Sequence, residues 1–226
     1  MFKKLLIIIP FFLAMGAFQV QAFAVPIPGI TPKNEIQQNN VLAEQRMSLA
    51  DRYGVPSVNS VFRDNILLTL AYLSGTVRNP SQIYWDNLHK PYSYEMPLKP
   101  GEVFAFHDAV LPEFAGKKII TTNAHFNGQE GFVSDGYLYG DGVCHFASLI
   151  NWVATDAGLK VVAPVRHDFA KIPDIDRKYG TAIYYAGGGS SVSEQQNLYV
   201  ENTLKKPVKI VFAYANDALK VSVVAE

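Results

Sequence analysis

VCHFASLINWVATDA, residues 143–157, carries the clearest periodic pattern in the chain. Val143, Phe146, Ala147, Ile150, Val153, Ala154 and Ala157 recur at three- and four-residue spacing, so their side chains share one face of a helix, and Gly158 supplies its stop. Gly140-Asp141-Gly142 forms the turn from which that helix starts, and Cys144, the single cysteine of the 226 residues, falls in its first turn. Downstream lie β-prone runs at Lys160–Val165, Thr181–Tyr185, Leu198–Glu201, Val208–Tyr214 and Leu219–Val224, the last two joined by an Asn216-Asp217 turn. One helix followed by several strands predicts an α+β domain: an antiparallel sheet packed on a central helix that starts at the single Cys, with further helices N-terminal to it.

Working back from that helix, Glu102–Phe106 and Ile119–Thr122 read as short strands. Asn59 or Ser60 caps a helix lined by Ile66, Leu67, Leu70 and Leu73 and ended by Ser74-Gly75. Thr31-Pro32 opens an expected helix running to about Arg52, with only a modest stripe of Ile36, Ala43, Met47 and Ala50. Between Arg78 and Pro97, prolines and Tyr84, Trp85, Tyr92 and Tyr94 follow no stable period, which predicts an aromatic-rich loop insertion. The expected organisation is a signal peptide at 1–24, a linker and helix at 25–58 and the α+β domain at 59–226, with no internal repeat.

The N-terminal segment fits export: Lys3 and Lys4 precede an apolar run from Leu5 to Phe18, with small-residue cleavage sites ending at Ala22 and Ala24. That run is shorter than the roughly twenty residues a spanning helix needs. The mature protein is therefore expected to be periplasmic or secreted and free of the membrane. Hydrophobic residues make up 49% of the chain and charged ones 18%, which excludes disorder as the main state. Lys plus Arg equals Asp plus Glu at 20 each, so no basic excess is present to neutralise phosphates, and nucleic acid is not an expected partner.

Chemistry concentrates at Gly140-Asp141-Gly142-Val143-Cys144-His145. A thiol at a helix start is favoured as thiolate by unpaired amides and the helix dipole, and glycines permit close approach of a substrate backbone. A lone Cys equally often fills core space. A nucleophilic thiol needs a base, and His167, with Asp168 beside it, follows the strand after the helix. A carboxylate or carbonyl would orient that imidazole; Asp168 is disfavoured on a shared strand, and Asp135, Asp141 and Glu102 stay open. The expected site is thus Cys144, His167 and Asp168 as catalytic residues, with Gly140, Asp141, Gly142, His145 and Glu102 around the substrate. Cys144 and His145 diverge on a helix and chelate poorly, so no metal and no cofactor are expected.

Several stretches together resemble the VanW-like family, cell-envelope proteins associated with some vancomycin-resistance gene clusters. Arg63-Asp64-Asn65-Ile66 with Leu73-Ser74-Gly75 is similar to the family's R-x-N-I helix, and Leu98–Val110 to its P-G-E-x-F-S-F-N segment. Gly140–Ser148 resembles G-G-G-V-C-Q-V-S-T, Arg166-His167 falls at the family's Arg-His, and Leu198–Asn202 resembles D-L-x-F-x-N. The chain is a divergent member by this resemblance, which spans about 59–224: Asp141 replaces a Gly, His145 a Gln and His107 an Asn. The resemblance implies an envelope location.

Two functional readings follow. In the first, Cys144 and His167 act on an amide or peptide-like substrate, such as a peptidoglycan stem peptide, as a hydrolase or acyl transferase. In the second, a non-catalytic envelope module binds peptidoglycan or a partner protein, using the aromatic loop around Tyr84, Trp85, Tyr92 and Tyr94.

Overall fold

The computed structural model describes residues 40–136 and 140–226; the expected signal peptide and most of the segment before residue 41 lie outside them. In chain order the elements are β1 (Val41–Ser48), α1 (Pro56–Leu73), the short α2 (Trp85–Leu88), β2 (Tyr92–Leu98), β3 (Val103–Ala105), β4 (Ile119–Thr121), α3 (Val143–Asp156), β5 (Lys160–Val162), α4 (Ser191–Gln195), β6 (Tyr199–Glu201), β7 (Val208–Ala215) and β8 (Ala218–Ala225). The mixed α+β class is as expected. No helix among the described residues is long and apolar enough to cross a membrane.

The strands make two four-stranded sheets among the described residues, ordered β1-β8-β7-β2 and β4-β3-β6-β5. The first is antiparallel throughout, and its β7–β8 hairpin turns at Asn216 and Asp217, both with positive φ, 51° and 49°. Such a turn matches the twist of its flanking strands. The second departs from the expected antiparallel pattern: β3 runs parallel to β4 and antiparallel to β6. Helix α3 packs against β1, β8, β5 and α1. Its Phe146, fully buried, meets Phe106 beyond the end of β3 at 5.8 Å and Phe212 of β7 at 5.6 Å, both edge-on, so one side chain joins the cores of both sheets.

Three expected elements are corrected. Residues 41–48 are not helical: they pair as β1 with β8, Gln45 opposite Val221 and Met47 opposite Leu219. An isolated helix with so thin a stripe gains little, whereas the ladder with β8 satisfies backbone groups and buries Met47. The aromatic insertion ends as β2, an edge strand that accommodates Pro97 because it pairs only with β7. The third concerns residues 181–185, which join neither sheet and lie along α3.

Candidate functional site

Helix α3 starts with Gly142 as its N-cap, at φ 101°. A β-carbon there would sit 2.7 Å from the Phe62 carbonyl oxygen of α1, so the glycine serves the close approach of two backbones. The approach is fixed by Asn65 of α1, fully buried, whose Nδ2 donates to the Val133 and Asp141 carbonyls at 3.0 and 2.9 Å. Its Oδ1 accepts from the Val133 N–H at 2.9 Å. A single amide thereby ties the loop before α3 to α1.

Along one face of α3, Cys144, Ser148 and Asn151 hold the extended segment at 179–183. Asn151 Nδ2 donates to the Tyr179 carbonyl at 3.0 Å, and Ser148 Oγ accepts from the Thr181 N–H at 2.9 Å. The Ile183 N–H donates to Cys144 Sγ at 3.4 Å, and the thiol donates to the Ile183 carbonyl at 3.7 Å. These three side chains do for the segment what a neighbouring strand would do. The sequence reading of 181–185 as β-prone found the extended backbone and missed its partner.

The expected depression of the Cys144 pKa is corrected: burial pushes the thiol up to about 11, with the Asp141 charge adding to the rise and the Ile183 N–H opposing it. The residue keeps some exposed surface, and its thiol is paired with both backbone groups of Ile183. Desolvation here outweighs the helix dipole, whose benefit is about 0.3–1 kcal/mol for an exposed charge. Asp141 is itself pushed up to about 6, chiefly by burial, while the Asp135 N–H donates to its Oδ2 at 3.1 Å.

His167 and His145 are brought together, with ring centroids 6.1 Å apart and edge-on. Phe62 covers His145 at 4.9 Å. Burial, reinforced by Arg52 and His167, lowers the His145 pKa to about 3, so it is a neutral imidazole, and its buried Nδ1 has no hydrogen-bond partner among the described residues. His167 Nδ1 faces the Ala170 carbonyl at 3.2 Å, which makes that carbonyl, rather than a carboxylate, its orienting group. Burial also lowers the His167 pKa. Among the described residues the hydrogen-bond partners of Cys144 Sγ are the Ile183 backbone groups, and His167 is not among them.

Asp168 points elsewhere, exposed between Arg166 and Arg177 at 3.8 and 3.9 Å. Glu102 is committed to Lys118 Nζ at 2.8 Å and the Lys99 N–H at 2.9 Å, in the turn before β3. Gly140, at φ 80°, lies where a β-carbon would come within 3.0 Å of the Phe126 side chain. No group of three or more His, Cys, Asp or Glu among the described residues is placed to hold a metal ion.

The sequence reading missed Arg52. Its side chain is buried, pairs through Nη2 with Asp174 and donates through Nη1 to the Pro173 carbonyl at 3.1 Å, leaving Nε without a partner among the described residues. Nothing in the local sequence distinguishes this arginine from a surface one. A second unanticipated cluster centres on His125, held by Glu130 at 2.8 Å and Asp108 at 3.2 Å, with Tyr185 at 4.2 Å between ring centroids. A cavity of about 340 Å³ opens beside His167, lined in part by Lys171, Ile172, Ile175 and Arg177.

No curated protein and no solved structure matches the chain. The family model described as VanW like protein matches residues 94–224, from within β2 to the last strand, so α1 with Asn65 precedes the matched span. With more than half its length in that match, including the Cys-led helix, His167 and the sheets around them, the chain belongs to the VanW-like family and is thereby associated with the cell envelope.

Proposed function

We propose that this protein is a non-catalytic envelope module that binds a peptide-like ligand, with peptidoglycan peptides as its target, and that Cys144 is a structural residue within it. The observation that carries this reading is the pairing of the Cys144 thiol with both backbone groups of Ile183, in surroundings that raise its pKa to about 11. A nucleophilic thiol needs the opposite: a lowered pKa and a base within hydrogen-bond reach. The expected contact surface shifts as well. Tyr94 stacks on Phe212 and Trp85 packs beside His89, so of the aromatic loop only Tyr84 is largely exposed, while the cavity at His167 offers a concave, mostly apolar surface.

Co-sedimentation with purified peptidoglycan, followed by mass spectrometry of the soluble fraction, tests the reading. The full chain and its Cys144→Ser variant should sediment to the same extent and release no fragments, because a serine hydroxyl keeps both bonds to Ile183. Fragments released by the wild type and absent with Cys144→Ser would establish the nucleophile reading instead.

A further inference from the structure

The segment after His167 builds the concavity that the binding-module reading uses, and its lining bears on the class of ligand it takes. Its apolar part comes from Ile172 and Ile175, both almost fully buried, and its polar part from His167, Lys171 and Arg177. The charges around it are unequal. Asp174 pairs with Arg52, Asp168 is shared by Arg166 and Arg177, and Asp176, which also lines the cavity, lies 3.8 Å from Lys178. Lys171 has no ion-pair partner among the described residues. The buried Arg52 guanidinium is tied to Pro173 and Asp174, within the turn from Ile172 to Ile175, so Asp174 is already neutralised and leaves Lys171 uncompensated.

An uncompensated cation at the edge of an apolar cavity favours a ligand with a negative head and a short aliphatic body. We propose that this cavity binds a small aliphatic carboxylate, its charge met by Lys171 and Arg177 and its alkyl portion by Ile172 and Ile175. The volume of about 340 Å³ suits a ligand of one or two amino-acid residues in size. Two sources share this chemistry, the C-terminal end of a peptide and a free short-chain acid. The inference rests on the binding-module reading and names the ligand class of the site beside His167.

Calorimetric titration of the full chain with butyrate, N-acetylalanine and butyramide tests it. Carboxylate binding with a Kd of about 1 mM is expected from so few contacting atoms, with butyramide weaker by about tenfold or more. Tighter binding of N-acetylalanine than of butyrate points to the peptide end as the source, and the reverse order to the free acid. Lys171→Gln should weaken binding about tenfold and Lys171→Arg should restore it, whereas Lys205→Gln, on an exposed loop away from the cavity, should leave it unchanged. Because Lys171 is exposed, an unaltered unfolding midpoint separates lost recognition from lost fold. No saturable carboxylate binding, equal binding of butyramide, or indifference to Lys171→Gln overturns the inference. If peptidoglycan co-sedimentation persists in that case, the module reading stands without it; if fragments are released through Cys144, that reading fails on its own evidence.

Discussion

At the residue scale, the protonation of His145 and His107 is decided by burial. Burial lowers their pKa values to about 3 and about 4, below the ordinary 6.5. Each stays neutral in the fold but takes up a proton in the unfolded chain as pH falls through 6.5, so the unfolded state binds more protons and the fold loses stability. Asp141, raised to about 6, acts oppositely: the folded form holds its proton longer, and stability is gained as pH falls through 6. Between pH 7.5 and 5.5 each histidine should cost about 1 kcal/mol, partly offset by Asp141. Denaturant unfolding at the two pH values should show the protein less stable at 5.5, and His145→Gln should reduce the difference by about 1 kcal/mol. An unchanged difference would mean that His145 is not held neutral by its burial.

The elements show where sequence reasoning succeeds and where a partner decides. Helix α3 was legible because Val143, Phe146, Ile150 and Val153 follow one period, and the β7–β8 hairpin because Asn216-Asp217 separates two apolar runs. Residues 41–48 were misread because their composition permits a helix, and only the distant β8 makes them a strand. Thr181–Ile183 is extended as its β-prone residues predict, but its hydrogen bonds go to side chains of α3 and to the Val165 carbonyl rather than into a sheet. The candidate site divides the same way. His167 was found from its position after the helix, whereas Arg52 and Lys171 matter through charges that meet only in space. The link between α1 and α3 rests on Asn65, and Asn65→Ala would leave the half-buried Val133 N–H and Asp141 carbonyl without this partner, the Val133 carbonyl keeping the Gly140 N–H. A loss of about 3 kcal/mol in denaturant unfolding is expected, since each buried polar group left unmatched costs about 1–3 kcal/mol. A cost below about 1 kcal/mol would show that the loop is held by other contacts.

For the whole molecule, the two sheets and α3 depend on one shared core. Phe146 touches Phe106 on one side and Phe212 on the other, so Phe146→Ala should cost about 3–5 kcal/mol and lower the unfolding midpoint of both sheets together. Loss confined to one sheet, seen as protection from amide exchange that survives only in β7 and β8, would contradict a single cooperative unit. Within that unit the strap at 179–183 is closed on α3 and the thiol is closed beneath it, which is the central claim about this protein. It is tested most directly by the rate of iodoacetamide alkylation of Cys144 in the folded full chain as a function of pH. The expected rate is far below that of the denatured chain at pH 7–8, rising only as pH approaches the thiol pKa of about 11. Rapid alkylation that reaches its plateau below pH 8, and is slowed by His167→Ala, would show an activated thiol and contradict it.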